Sequence, residues 1–222
     1  MNAPDIYTPL FLSLKVACLA TLISLIAGVA FAFLVSRRDF PGREVLDAAC
    51  TLPLVLPPTV LGYYLLTLLG RNGIIGTFLQ DWFGVSLIFT WKGAVIAASI
   101  VSFPLLYKSA RAALEGINKD YEDAARTLGV SEWGVFFRVS LPLAWPSILA
   151  GVMLAFARAL GEFGVTLMVA GNMPDRTQTL PLAIYSAVQA GDDQTANILA
   201  GAISALGIVI LVFSGRLLRA KF

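Results

Sequence analysis

The chain has 222 residues, of which 58% are hydrophobic and 14% are charged, and its mean hydropathy is +0.80. An ordinary soluble domain is about one-quarter charged; a soluble core of this size could not bury so much apolar surface, so the composition indicates a membrane protein. The formal net charge is +2 and histidine is absent, which excludes histidine bases, Ser/His/Asp triads and histidine metal sites. Cys18 and Cys50 lie in or beside apolar runs, and we expect both to be inert buried thiols.

Five apolar stretches are long enough to cross a bilayer core, which takes about 20 helical residues. They are roughly 10–36, 48–70, 85–107, 146–170 and 196–215. No basic segment precedes the first stretch, which is also too long for the apolar core of a signal peptide, so we interpret it as a retained span. A sixth apolar piece, 180–190, is too short to span and is interpreted as a re-entrant or interfacial helix. The prediction is an all-α, polytopic membrane protein with a single transmembrane domain over residues 1–222.

The basic residues predict how the spans are oriented. The loops on one side hold most of them, whereas the loops on the other side hold Arg71 and Arg176. Because cytoplasmic loops are enriched in lysine and arginine, we expect the more basic side to be cytoplasmic, with the N-terminus outside and the C-terminus inside. The residues that carry this prediction are Arg37, Arg38, Arg43, Lys108, Arg111, Lys119, Arg126, Arg138, Arg216, Arg219 and Lys221.

The second span contains three prolines, Pro53, Pro57 and Pro58, in the sequence LPLVLPPTVLGYYLL. Each proline removes a backbone N–H and disfavours helix at the residue before it. Carbonyls freed in this way at membrane depth are tolerated only against protein or a water-filled cavity. Two interpretations stay open: a kinked packing helix, or a helix that lines or gates a pathway. Pro104 raises the same question in the third span.

The polar stretch 118–142 lies on the predicted cytoplasmic side, between the third and fourth spans. Asn118 or Asp120 can cap a first helix, and Gly129 can end it in a left-handed conformation. The apolar face of this helix follows the i, i+3, i+4, i+7 pattern and consists of Tyr121, Ala124, Ala125 and Leu128.

A second helix is predicted to begin at the capping residue Ser131 and to stop at Pro142. Its apolar face consists of Trp133, Phe136 and Phe137. Three interpretations of the helix pair compete: an interfacial pair resting on lipid, a DNA-binding helix-turn-helix, and a docking element for a cytoplasmic partner. Aromatic side chains stand where base-reading polar ones are needed, so no nucleic-acid partner is expected. Small alanines and aromatic anchors favour docking.

One motif in this stretch has a specific spacing. The sequence reads Asp123-Ala124-Ala125, three residues, Gly129, nine residues, Val139, one residue, and Leu141-Pro142. It resembles the cytoplasmic-loop motif of permease subunits of ATP-binding-cassette (ABC) importers, which reads EAA, three residues, Gly, nine residues, Ile, one residue, and Leu-Pro. Asp replaces Glu and Val replaces Ile, while the spacing agrees throughout.

The resemblance implies that 118–142 is a cytoplasmic coupling loop whose helices seat in a groove on an ATPase subunit. The chain itself contains no G-x-x-x-x-G-K-[ST] phosphate loop, so we expect a transport subunit that is not an enzyme and needs no cofactor. The residues assigned to ATPase coupling are Asp123, Ala124, Ala125, Gly129, Trp133, Phe136, Phe137, Leu141 and Pro142.

Further segments resemble the molybdate importer permease family and together cover most of residues 10–170. They are FPGR, LPLVLPP, DWFGV, FPLL, AARTLG, VFFRVSLPL and LAFARALGEFG. The resemblance implies a permease homodimer in a bacterial or archaeal plasma membrane. Its implied partners are an ABC ATPase dimer on the cytoplasmic side and an external oxyanion-binding protein. Tungstate and sulfate/thiosulfate permeases are close relatives, so these oxyanions are the alternative substrates.

The fourth predicted span contains two charges, Arg158 near its middle and Glu162 one turn further on. A lone charge at that depth costs about 2.5–3.5 kcal/mol on insertion scales, and the i, i+4 spacing lets the two pair. The pair is either structural and faces the dimer interior, or Arg158 supplies positive potential to a passing dianion, or the two make gating contacts. Gly161 and Gly164 permit close helix approach or local unwinding. The pathway candidates are Pro57, Pro58, Arg158 and Glu162.

Two rival functions come from other classes. An intramembrane enzyme would need a nucleophile with a base, or a metal cluster, and the predicted spans offer neither histidine nor paired carboxylates. A stand-alone secondary transporter would usually show internal repeats and more ionisable residues inside the membrane. Such a transporter would work in liposomes without an ATPase.

Overall fold

A computed structural model describes residues 6–37 and 40–219 of the protein. These residues fold as helices joined by short loops, which confirms the all-α prediction. A π-helical turn (Phe136–Ser140) joins α7 to α8. In chain order the helices are α1 (Tyr7–Arg37), α2 (Arg43–Val55), α3 (Pro58–Leu69), α4 (Ile74–Phe83), α5 (Trp91–Glu115), α6 (Lys119–Thr127), α7 (Glu132–Val135), α8 (Leu141–Leu160), α9 (Gly164–Ala170), α10 (Leu180–Gln189) and α11 (Asp193–Arg219).

Within the described ranges, four helical segments are long and apolar enough to cross a membrane. They are α1, α5, the continuous helix Glu132–Leu160, and α11 over Asp193–Val212. The bent pair of α2 and α3 makes a fifth if it is counted as one span. The predicted number of about five spans is therefore confirmed, although several boundaries differ.

The third span was predicted to begin at residue 85, but its helix, α5, begins at Trp91. Phe89 has a φ of 58°, and Thr90 caps α5 by accepting a hydrogen bond from the Gly93 amide at 3.3 Å. The left-handed Phe89 and the extended Thr90 keep the residues just before Trp91 outside α5. Pro104 is buried inside α5 and does not interrupt it.

The centre of the fold is formed by α1, α5 and α8, which pack against one another. A Cβ added to Gly28 on α1 would lie 2.9 Å from Leu106 Cδ2 and 3.2 Å from the Tyr107 amide nitrogen on α5, so a larger residue there would require the Leu106 side chain or the two helices to shift. The Ser24 hydroxyl donates a hydrogen bond to the Ser99 carbonyl across the same interface, at 3.0 Å. Small residues and hydroxyl groups are what membrane helices use to associate, since lipid provides no hydrophobic driving force between them.

The two cysteines differ in environment. Cys50 is buried as expected, whereas the prediction for Cys18 was wrong because its side chain is exposed. An apolar run need not be covered by protein when lipid is the solvent, and α1 turns Cys18 outward together with Leu22 and Ile26.

The short apolar piece predicted at 180–190 forms α10. Pro181 stands in its first turn, where the missing N–H is tolerated. The Leu180 amide donates a hydrogen bond to Ser13 Oγ on α1 at 2.7 Å, so a side chain from the first span caps the helix. Leu180 and Leu182 are fully buried, and α10 packs on α11 and α1.

Candidate functional site

The first helix of the 118–142 stretch forms as its sequence predicts. Asn118 Oδ1 accepts a hydrogen bond from the Asp120 amide at 3.0 Å and caps α6. The helix gives way to a turn in which Gly129 has a φ of +79°, the left-handed conformation that glycine adopts without a steric cost. A Cβ on Gly129 would meet no atom within 4 Å. Backbone conformation, and not lack of space, therefore selects glycine here.

The second helix begins as predicted but does not stop at Pro142. Ser131 Oγ accepts a hydrogen bond from the Gly134 amide at 3.3 Å, and the helix then runs on as far as Leu160. The predicted stop was wrong because the chain widens into a π-helical turn just before the proline, where the Leu141 amide bonds to the Phe136 carbonyl. This wider turn accommodates a residue that lacks an N–H and carries a ring.

Four large apolar side chains on the two helices are exposed and surround the Gly129 turn. They are Tyr121, Leu128, Trp133 and Phe137, with exposed fractions of 61%, 84%, 66% and 58%. Trp133 and Phe137 stack on each other, with ring centroids 6.3 Å apart. Asp123, Ala124 and Pro142 are exposed beside them, and Ala125 is half-buried. We call the set Tyr121, Leu128, Trp133 and Phe137 the apolar face.

Two of the residues assigned to coupling do not lie on this surface. Phe136 is 6% exposed, and its ring packs on Phe33 of α1 with centroids 4.3 Å apart. The expected grouping of Phe136 with Trp133 and Phe137 on one face is therefore wrong. The π-helical turn starts at Phe136 and turns its side chain inward. Leu141 is half-buried and packs against the buried apolar cluster that contains Phe136 and Leu106.

Arg126 holds the two helices of the stretch together. Its Nε donates to Glu132 Oε1 and its Nη1 to Asp123 Oδ1, both at 2.7 Å. The hydrogen bonds that Arg126 donates to Glu132 and Asp123 raise the pKa of Arg126 above its ordinary value. The guanidinium is thus permanently charged and spans the Gly129 turn.

Sequence reasoning missed a buried polar junction behind the apolar face. Glu122 precedes the motif and resembles a solvated charge in the sequence, yet its side chain is 7% exposed and pairs with Arg37 at the end of α1. Ser140, fully buried, completes the junction. The partners are 85 and 18 residues apart along the chain, so no local pattern could have identified them.

The second predicted span, 48–70, is not one helix. α2 ends at Val55, α3 begins at Pro58, and the helix axis bends by 113° between them. Pro57 between them is extended, with a ψ of 142°. The prolines thus break the span and do not merely kink it, because neither Pro57 nor Pro58 can donate the amide hydrogen bond that would continue α2.

The fourth predicted span, 146–170, is also broken. α8 ends at Leu160 and α9 begins at Gly164, so Arg158 lies in the last turn of α8 and not at mid-helix. Glu162 lies in the break itself. The expected ion pair is present, with Arg158 Nη1 2.7 Å from Glu162 Oε2, and the other carboxylate oxygen accepts a hydrogen bond from the Val165 amide at 2.9 Å. Glu162 therefore connects α8 to the start of α9.

The two breaks touch each other. A Cβ on Gly164, the first residue of α9, would lie 2.8 Å from Pro58 Cβ, the first residue of α3. Further along, Gly62 of α3 packs closely on Met168 of α9. The short helices α3 and α9 thus run side by side from a common point, and all four pathway candidates lie at or next to that point.

Known proteins resemble this chain over nearly its whole length. Residues 20–222 match the family model described as the inner membrane component of binding-protein-dependent transport systems. The molybdenum transport system permease protein ModB of Escherichia coli (strain K12) is 49% identical over 94% of this chain and 91% of its own length. The putative molybdenum transport system permease protein YvgM of Bacillus subtilis (strain 168) is 43% identical over 96% and 94%. The sulfate transport system permease protein CysT of Escherichia coli (strain K12) is 35% identical over 99% and 78%.

Solved structures agree on the fold. A bacterial alginate ABC transporter in complex with an alginate pentasaccharide-bound periplasmic protein superposes with a TM-score of 0.79 at 17% identity, over 99% of this chain and 80% of that one. An inward-facing MetNI methionine ABC transporter gives a TM-score of 0.77 at 16% identity, over 99% of both chains. At such low identity these structures support the helical arrangement alone. With the family match and the permease relatives, the conclusion is that this chain belongs to the inner-membrane components of binding-protein-dependent transport systems, as an ABC permease subunit and not an enzyme.

Proposed function

We propose that this permease imports molybdate, driven by ATP that a separate subunit hydrolyses. The substrate assignment rests on the sequence identities to permeases that are named for different anions. Identity is 43–49% to four permeases named for molybdenum transport and 35–38% to three named for sulfate transport, while one molybdenum permease, that of Azotobacter vinelandii, falls in the lower range at 36%. Sulfate/thiosulfate and tungstate remain the competing substrates. The external binding protein that delivers the anion contributes to the choice among them.

We further propose that residues 118–142 form the cytoplasmic coupling loop and dock an ATPase dimer. The support is the apolar face, because exposed aromatic side chains around a fixed turn are suited to anchor a protein partner. Asp123 and Ala124 are exposed beside this face and belong to the motif shared with ABC permeases. Phe136 and Leu141 then act from behind, by supporting the loop.

The proposed assembly contains two copies of the permease in a bacterial or archaeal inner membrane, with one external oxyanion-binding protein. The N-terminus lies outside and the C-terminus lies in the cytoplasm. The support for this orientation is the excess of lysine and arginine in the loops around Arg37, Arg111 and Arg126.

The proposed translocation path passes the two touching breaks. Broken helices are tolerated at membrane depth where they line a cavity or lie against protein. Arg158 is 40% exposed, whereas its partner Glu162 is 2% exposed, so the cation and not the carboxylate faces the accessible side. A positive charge with that exposure favours the passage of a dianion.

Growth of a molybdate-transport-deficient bacterial strain tests the substrate. The strain would carry this permease with its cognate ATPase and binding protein, at trace molybdate, with sulfate or tungstate added as competitor. We expect the permease to restore molybdate-dependent growth and a large excess of sulfate to leave that growth unchanged. Suppression by equimolar sulfate would contradict the substrate assignment. Molybdate uptake without the ATPase would favour a secondary transporter instead.

A further inference from the structure

The C-terminal end of α1 contacts the coupling loop through two side chains one helical turn apart. Phe33 packs on Phe136, and Arg37 bonds to Glu122 and Ser140. Phe136 and Ser140 are likewise one turn apart, on the π-helical turn. The first span is therefore joined to the loop by an aromatic contact between Phe33 and Phe136 and a polar contact between Arg37 and Ser140.

The polar half of this contact is a closed hydrogen-bonded ring. Arg37 Nη1 donates to Glu122 Oε2 at 2.5 Å, and Arg37 Nη2 donates to Glu122 Oε1 and to Ser140 Oγ. The Ser140 hydroxyl in turn donates to Glu122 Oε1 at 2.7 Å. The bidentate geometry is the strong, orientation-fixing form of an arginine–carboxylate pair. Arg37, Glu122 and Ser140 thus link α1, α6 and the start of α8.

The ring is more deeply buried than the other charges of the loop, although Arg126 Nη2 also lies 3.8 Å from Glu122 Oε2. The side chains of Arg37 and Glu122 are 18% and 7% exposed, whereas those of Asp123 and Glu132 are 66% and 67% exposed. A partner that docks on the apolar face can reach Asp123 but not Glu122. The buried carboxylate therefore serves a contact within the permease.

We propose that Arg37 and Glu122 form a latch that makes the first span move with the coupling loop. α6 packs mainly on α7 and the π-helical turn, so without the latch a force on α6 would reach α1 only through the aromatic contacts of Phe33 with Trp133 and Phe136. The latch adds a direct charged link from α6 to α1, which packs along the length of α5. Arg37 is then a positioning residue for transport. This inference rests on the proposed coupling function of 118–142.

The test uses the complete transporter, with ATPase and binding protein, in liposomes. It measures molybdate imported per ATP hydrolysed, ATPase retained on the purified permease, and melting temperature. We expect Arg37→Gln to lower import per ATP by about tenfold, within the usual range of coupling effects between sites, with the ATPase still bound. Arg43→Gln is the control. Arg43 lies on the same predicted cytoplasmic side, and its ion pair with Glu115 is more exposed than that of Arg37 with Glu122. This control variant should leave import per ATP unchanged.

Two double variants keep the test decisive if Arg37→Gln does not fold. Arg37→Met with Glu122→Met leaves no unpaired buried charge; it should fold and remain uncoupled. The exchange Arg37→Glu with Glu122→Arg should recover most of the import per ATP, which a merely structural role would not require. Normal import per ATP in the folded methionine pair would overturn the latch. A wild-type transporter that imports a different oxyanion would refute the molybdate assignment but leave the latch testable with that anion.

Discussion

Glu162 uses both of its carboxylate oxygens, one on Arg158 Nη1 and one on the Val165 amide. The carboxylate is buried, whereas the guanidinium is 40% exposed. The two members of the pair are therefore not equivalent. Loss of Arg158 leaves an unpaired charge inside the protein, and loss of Glu162 leaves a cation that keeps part of its solvation.

We expect Arg158→Gln to destabilise the permease by about 3–5 kcal/mol, the usual cost of an uncompensated buried charge, and Glu162→Gln to cost less. The double variant should be more stable than Arg158→Gln alone, because contacting residues are not additive. Detergent melting temperatures of the three variants measure this. Losses that simply add would contradict the pairing. Full molybdate uptake by a stable double variant would contradict the proposed role of Arg158 for the anion.

The expected effect of replacing Gly129 follows from its backbone conformation, a φ of +79°. A left-handed residue with a Cβ costs about 1–2 kcal/mol, and a β-branched one more, so Gly129→Val should distort the turn between α6 and α7. We expect loss of ATPase binding or of uptake per ATP. Gly42→Val is the matched control, since Gly42 lies outside the proposed coupling loop and has a φ of +93° and equally open surroundings. Normal ATPase binding and uptake in Gly129→Val would refute the prediction.

At the scale of helices, the breaks in two predicted spans divide the fold into packed groups. α3 and α9 pack on each other and on α5 through Leu61, Leu65, Val165 and Val169. α2 and α8 continue on the other side of the breaks and contact α5 separately. The two short helices therefore form one packed unit, which begins at the contact between Pro58 and Gly164.

A matched pair of glycines in one break tests this contact. A Cβ on Gly164 would lie 2.8 Å from Pro58 Cβ, whereas a Cβ on Gly161 would have its nearest neighbour at 3.7 Å. We expect Gly164→Ala to cost about 1–3 kcal/mol through overpacking and to reduce uptake, and Gly161→Ala to stay within about 0.5 kcal/mol. Melting temperature and liposome uptake report both effects. Equal behaviour of the two variants would show that the breaks are not in functional contact.

Local chemistry made much of this structure predictable from sequence. The Asn118 and Ser131 caps, the Gly129 turn and the Arg158–Glu162 pair depend on residues within one or two turns of each other. The burial of Glu122 and the contact between the two breaks depend on packing between distant helices, which no local pattern encodes. Pro142 shows a third case: proline predicts a helix end, but a π-helical turn of the preceding residues removes the conflict.

At the scale of the whole molecule, one chain leaves large apolar surfaces that lipid or other subunits must cover. α4 exposes Ile74, Phe78 and Trp82, and α11 exposes Ile208 and Val212. The apolar face of residues 118–142 lies at the end of the fold where α1 and α5 finish. In the proposed assembly, lipid and a second permease cover the exposed surfaces of α4 and α11. The ATPase covers the apolar face.

ATP-dependent uptake of molybdate into liposomes tests the central claim most directly. The liposomes would contain this permease and its ATPase, with the binding protein on the opposite side of the membrane from ATP. We predict uptake that requires all three proteins, that stops when ATP is replaced by a non-hydrolysable analogue, and that excess sulfate does not block. Uptake that continues without the ATPase, or ATP-driven uptake of sulfate in preference to molybdate, would contradict the account.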